Sequence, residues 1–308
     1  MKLILFIIVS IGIMFSNDIS GVAYFNYSED SGFGLSRTYF TYKSEISDEL
    51  SFKFQTDIGQ LSESEGDPAE DYRWTAYLKK AQLDWKVNDG MKISMGMIGM
   101  NMFNVQEKTW RNRFVAKSAL DYADWGVASA DLGIGLSKSF GKIFTSIFIT
   151  NGEGYKNSNT NNKTKISFQL LFGEKRLDKK SGYNFGIVRS SENKEINNEQ
   201  VNGIFGGWSN NNLIIGIESY NKLYYKVADH QERDTLTSGY LNYIFNNDFS
   251  IFVRKDSKEI NEDTNQIINR SIIAGFIWTP TKGLDICPTL VQIDDDDSNM
   301  MINFQFKF

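Results

Sequence analysis

The sequence predicts an all-β fold, an antiparallel β-barrel that crosses a membrane with sixteen strands. Three observations predict it. Apolar and polar residues alternate with period two along most of the chain after residue 16. The alternating segments run about 9–13 residues, the length a tilted strand needs to cross a bilayer; strands of soluble proteins average about 5–6. The connections between them alternate between short and long.

In chain order, residues 1–16 read as a signal peptide. Lys2 supplies the positive start, Leu3 to Met14 is apolar apart from Ser10 and Gly12, and Ser16 is a small residue before the cut. The run falls short of the roughly 20 apolar residues of a spanning helix. Residues 17–308 then form the barrel. Strands are expected to start near Ile19, Gly34, Leu50, Arg73, Met91, Gly126, Lys142, Lys163, Gly182, Val201, Asn212, Leu236, Asp248, Ile267, Gly283 and Ser298. Leu50, Phe52, Phe54 and Ile58 share one face of the third, and Ser51, Lys53, Gln55 and Asp57 the other. The last sets Ile302, Phe304, Phe306 and Phe308 against Asn303, Gln305 and Lys307. Short turns are expected at Ile46–Glu49, Val87–Gly90, Ser139–Gly141, Ser209–Asn211, Asn246–Asp248 and Pro280–Gly283, with a longer one at Gly173–Ser181. Polar loops are expected at Gln60–Tyr72, Gly99–Trp125, Gly152–Asn162, Ser190–Gln200, Asn221–Asp234, Ser257–Gln266 and Asp294–Asp297. Strict alternation puts every second connection on one side, with short periplasmic turns and long extracellular loops. A secreted β-sandwich also alternates, but it explains neither the strand length nor the loop asymmetry.

Composition excludes several alternatives. Among 308 residues, 41% are hydrophobic and 14% aromatic, and the mean hydropathy is −0.35. Cys287 is the only cysteine, so there is neither a disulfide framework nor a Cys-rich metal site. A net charge of −5 lacks the basic surplus that nucleic-acid binding needs. No cofactor is expected.

The ending Met300-x-Ile302-x-Phe304-x-Phe306-x-Phe308 resembles the terminal strand signal of Gram-negative outer-membrane proteins, which implies recognition of Phe308 by the barrel-assembly machinery. The body resembles the porin superfamily, in particular the phosphate-selective porin O and P type. The resemblance is carried by Phe33-Gly-Leu-Ser-Arg37-Thr-Tyr39, Asp57, Ala81-Gln-Leu-Asp-Trp85, Trp110-Arg-Asn-Arg113, Ser129-Ala-Asp131-Leu-Gly133-Ile, Asn151-Gly152, Phe252-Val-Arg254-Lys-Asp256 and Trp278-Thr-Pro280. It implies a homotrimer in the outer membrane, in contact with lipid and lipopolysaccharide, passing small hydrophilic solutes. It also implies that the third extracellular loop, Gly99–Trp125, folds into the lumen.

A sixteen-stranded barrel encloses an aqueous lumen. Alternation assigns Arg37, Lys43, Lys53, Lys80, Lys86, Lys92, Lys165 and Arg254 to its wall, with Asp57, Asp84, Asp131, Glu218 and Asp256. The third loop adds Lys108, Arg111, Arg113 and Lys117, and its Met102, Phe103, Trp110 and Phe114 suit it to lie on the wall. Cations outnumber acids on the wall, and rings of Lys and Arg favour anions. Asp294–Asp297 reads as a solvated loop, with binding of divalent cations near lipopolysaccharide as the alternative. The alternatives are a barrel with an adhesive or structural role, or a hydrolase at the rim. For the last, the single histidine, His230, lies beside Asp229 in a loop, and no G-x-S-x-G motif accompanies it.

Overall fold

The computed structural model describes residues 17–60, 74–157, 164–192, 199–210, 212–227, 230–262, 265–294 and 298–308. The signal-peptide segment 1–16, Asp295–Asp297 and the Asp229–His230 side chains lie outside what is described. Sixteen strands close into one antiparallel barrel. They are β1 Asn17–Ser28, β2 Gly32–Glu45, β3 Leu50–Gln60, β4 Trp74–Asn88, β5 Met91–Gly99, β6 Ala130–Phe140, β7 Ile143–Thr150 and β8 Lys165–Gly173. The ring continues with β9 Gly182–Glu192, β10 Glu199–Ser209, β11 Leu213–Val227, β12 His230–Ile244, β13 Phe249–Glu262, β14 Asn265–Thr281, β15 Leu284–Ile293 and β16 Asn299–Lys307. Each strand pairs with its chain neighbours, and β16 pairs with β1. Among the described strands no sheet edge is left open, so outside the bulges the ladder pairs its backbone groups without water.

The seam is made at the chain end. Phe308 and Gly21 exchange backbone hydrogen bonds of 3.1 Å. The Phe308 ring lies over Gly21, and a Cβ there would meet it at 2.2 Å. Phe25 stacks on Phe304 at 4.6 Å across the same seam.

Alternation sorts the faces. Ile134, Ile149, Ile166, Phe185, Ile204, Ile217, Val253, Phe276 and Leu290 point out and are exposed. A monomer in water rarely carries so continuous an apolar surface. At the rim where β1 begins and β16 ends, Trp85, Phe140, Phe172, Tyr183, Trp208, Tyr243, Phe249 and Trp278 form an exposed aromatic girdle, the arrangement expected at a bilayer interface. No described helix is long and apolar enough to cross a membrane.

The connections differ from strict short–long alternation. At the far rim, β1 and β2 are separated only by residues 29–31, β11 and β12 by 228–229, and β13 and β14 by 263–264. The segments Asn221–Asp234 and Ser257–Gln266, expected as polar loops, are mostly strand. The register runs on through Leu223↔Arg233 and Asn261↔Gln266. Backbone pairing continues there because the ladder does not need an apolar face once it has left the belt. The longest connection, residues 100–129, does enter the lumen. It carries two short helices, α1 Asn104–Trp110 and α2 Ala119–Ala123.

Candidate functional site

The inner loop is held by one apolar face. In α1, Val105, Gln106, Thr109 and Trp110 are buried, and Glu107 and Lys108 lie on the opposite face toward the lumen. Met102, Phe103, Ala119 and Leu120 pack with Leu171, Val188, Val201, Phe205, Tyr220 and Leu236 of β8–β12. Trp110 and Phe114 pack with Tyr240, Phe252, Ile277 and Cys287 of β12–β15. Trp110 meets Tyr240 and Phe252 edge-on at 5.4 and 5.5 Å. Each such side chain contributes about 1.5–3 kcal/mol by leaving water.

Polar pins fix the register of the loop on the wall. Gln106 donates to the Tyr220 hydroxyl at 3.0 Å, and that hydroxyl donates to Glu218 at 2.5 Å. Asn112 donates to Asn242, and Lys258 donates to the Ala123 carbonyl at 3.0 Å. Arg254 forks onto Asp256 at 2.9 and 2.7 Å and donates to the Lys117 carbonyl at 2.5 Å. Nearer β7, Asn101 bonds Ser146 and Ser167. The half of the lumen under β8–β12 is therefore a packed interior; on β13 and β14, Arg254, Asp256, Ser271 and Ile273 also border open space.

The opposite wall, on β1–β6, is left open and polar. A β-bulge between Thr56 and Gln55 of β3 pairs Leu78 and Lys80 across it, so Lys79 is the extra residue. Bulges re-aim side chains, and here Lys79 and Lys80 both reach the lumen. Lys79 is tethered: it donates to the Tyr39 hydroxyl at 3.3 Å, sits 4.5 Å over the Tyr39 ring and lies 3.8 Å from Asp57. Lys53, Lys80 and Lys108 make no ion pair among the described residues. A second bulge, between Tyr24 and Phe25 of β1, leaves Ser36 of β2 as the extra residue.

Two cavities meet at the loop. One of about 950 Å³ opens toward the terminal rim and is lined by Lys53, Lys79, Lys80, Lys92, Lys108 and Lys175 among others. The other, of about 850 Å³, opens toward the far rim and is lined by Arg37, Lys117, Asp121 and Tyr155 among others. Tyr24, Arg113 and Ser129 line both. Arg113 pairs with Asp121 at 2.6 Å and Glu107 at 3.4 Å. Burial works to lower its pKa, but those two carboxylates outweigh burial and hold it raised. At the first cavity, burial and the neighbouring Lys92 push the Lys175 ammonium down to about 8, and it lies 3.2 Å over the Phe144 ring.

A second segment also leans inward. Tyr155, from the connection after β7, donates to Asp57 at 2.5 Å and accepts from Arg37 at 3.2 Å. Arg37 itself bonds Asp57 at 2.5 Å. Burial and the Asp57 charge raise the Tyr155 pKa, so this hydroxyl stays a donor.

The residues singled out from sequence take five different placements. Lys53, Lys80, Lys92 and Lys108 line the first cavity, with Lys92 paired to Asp84 at 3.0 Å. Lys43 sits near the terminal rim beside Asp18 at 3.3 Å. Arg37, Asp57, Arg113 and Lys117 gather around the second cavity. Asp131 and Arg254 stand on the inner wall but under cover. Asp131 accepts the backbone amides of Leu132, Gly152 and Gly154, and Arg254 is buried beneath the loop. Arg111 ends α1 in the left-handed region at φ 59° and lines neither cavity. Lys79, Tyr39, Tyr24 and Tyr155 are not among the lining residues expected from sequence; for Tyr39 the signal was available, because the alternation that puts Arg37 and Lys43 on the wall puts it there too.

No protein-family model matches the chain, and no curated protein matches it. Solved structures do. OmpF of Salmonella typhi aligns with TM-score 0.68 at 10% identity, over 95% of this chain and 97% of that one. OmpT, an outer membrane protein of Vibrio cholerae, aligns in its trimer form with TM-score 0.65 at 12% identity, over 96% and 99%. The anion-selective porin of Comamonas acidovorans aligns with TM-score 0.63 at 9% identity, over 96% and 100%. The chain thus shares the sixteen-stranded fold of porin-like outer-membrane barrels over nearly its whole length.

Proposed function

We propose that this chain is an outer-membrane porin that lets small hydrophilic solutes diffuse passively and prefers anions. The observation that carries the reading is the pair of cavities that meet at Tyr24, Arg113 and Ser129 between the folded loop and the lysine wall. A loop pinned by more than ten buried side chains narrows the lumen without filling it. The unpaired Lys53, Lys80 and Lys108 give the narrow part a positive field, whatever the net charge of the chain. Residues 1–16 act as the export signal and Phe308 as the assembly signal. The full-length likeness to the Vibrio cholerae protein in its trimer form supports a homotrimer, and the likeness to an anion-selective porin agrees with the preference.

The test is a planar bilayer recording of the purified protein in a KCl gradient. Discrete current steps with a reversal potential displaced toward that of chloride are expected. Insertion without current steps would overturn the porin reading in favour of a structural or adhesive barrel. Steps with a cation-directed potential would overturn the anion preference alone.

A further inference from the structure

We propose that the outer face of β12–β14 holds a phosphate-bearing lipid of the leaflet at the far rim, with Lys255 and Arg270 on its phosphate. The proposal rests on the reading of the barrel as membrane-embedded and is independent of what passes through the lumen.

The register fixes the place. Ile217, Gly239, Lys255 and Ile272 lie side by side on four neighbouring strands, at one level. The next level toward the far rim is Ser219, Thr237, Ser257 and Arg270. Lys255 and Arg270 are therefore diagonal neighbours on adjacent strands, about 7–8 Å apart at the backbone, a span that one phosphate bridges. Both point outward: their neighbours Arg254 and Asp256 are buried inside, and Ser271 lines the inner cavity.

Lys255 sits at a level that is otherwise apolar, below the polar row. A cation there rises along its stem toward the interface and arrives beside Arg270. Neither side chain makes an ion pair or hydrogen bond among the described residues. The acids nearby are engaged elsewhere. Glu259 accepts from Thr235 and Gln266 at 3.2 and 3.3 Å, and Asp294 accepts the Arg270 backbone amide at 2.7 Å. The outward Arg189 of β9, by contrast, is already bonded to Gln200 at 3.0 Å.

An apolar notch opens beside this pair. No heavy atom lies within 4 Å of the point where a Gly239 Cβ would stand. Ile217, 67% exposed, rises on one side of the notch and Val253 on the other. A charged pair above an apolar notch is complementary to a lipid with an anionic head and a straight chain. A zwitterionic head brings the same phosphate with a cation beside it, and that cation repels the pair.

Native mass spectrometry of the detergent-purified full-length protein tests the site, with phosphatidylglycerol or phosphatidylcholine added. One phosphatidylglycerol is expected to stay bound under conditions that strip phosphatidylcholine. The Lys255→Met, Arg270→Gln double variant should lower that retention by about tenfold, and Lys53→Gln in the lumen should leave it unchanged. Equal retention of the two lipids by the native protein, or full retention by the double variant, would overturn the proposal. A protein that conducts but holds no phosphatidylglycerol refutes this site alone; one that holds the lipid but never conducts refutes the porin reading alone.

Discussion

On β8–β13 most inward residues meet a folded loop; on β1–β6 inward residues of similar polarity face open lumen. Arg254 and Lys53 occupy equivalent positions in the pleat, each on the inner face of a strand. Arg254 is buried under Trp110, bonded to Asp256 and to the Lys117 carbonyl. Both residues border a cavity, but Lys53 has no such partner among the described residues. Strand alternation decides only which way a side chain points. What lies opposite decides whether its charge holds the fold together or acts on a passing ion.

The comparison can be broken at its packed side with the largest effect. Trp110→Ala removes the ring wedged between Tyr240 and Phe252 and should cost about 3–5 kcal/mol of loop anchoring. The expected outcome is a larger and noisier single-channel conductance, with faster proteolysis within residues 100–129. Unchanged conductance would mean that the loop does not set the bore. The next effect belongs to the open wall. Lys53→Glu with Lys80→Glu should move the chloride-to-potassium permeability ratio toward cations by roughly tenfold, the change that ~1.4 kcal/mol of wall potential produces. A reversal potential that stays put would mean that the lysine wall does not select.

Arg113 and Arg111 sharpen the contrast within the loop itself. Arg113→Ala leaves Glu107 and Asp121 without their partner, so a severalfold shift toward cations is expected in the same recording. Arg111→Ala, away from both cavities, should change the reversal potential little. Equal shifts from the two would contradict the placement of the narrow zone. The smallest effect is that of pH. Lys175 is charged below about 8 and neutral above it. Anion preference should therefore fall modestly between pH 7 and pH 9, and Lys175→Gln should make that step smaller. A step of the same size in the variant would assign it to another group.

Much of this was legible in the chain. Strand order and number follow from alternation, because a wall between water and an apolar exterior leaves each position one acceptable polarity. Met102, Phe103, Trp110 and Phe114 marked the loop as a packed element, because a solvated loop has no use for them. The extended hairpins at the far rim were not legible. Segments such as Asn221–Asp234 leave the apolar belt, and polar residues there are equally compatible with ladder and loop. The Tyr155 contact with Arg37 and Asp57 joins positions far apart in sequence, and nothing local announces it. The burial of Asp131 and Arg254 likewise depends on what folds over them.

The bulge at Lys79 has a consequence for how such a wall changes over time. Lys79 is extra to the pairing, and Leu78 and Lys80 on either side of it already obey the ordinary alternation. Loss of that one residue would close the ladder and leave every other side chain on its own face. The wall's charge can therefore be raised or lowered by gain or loss of a single codon, a route open to a lineage without any substitution. Ser36, set outside the register of β1 and β2 in the same way, offers a second such slot beside the mouth. Between related chains, length differences of one residue at these two places would be the trace of that history.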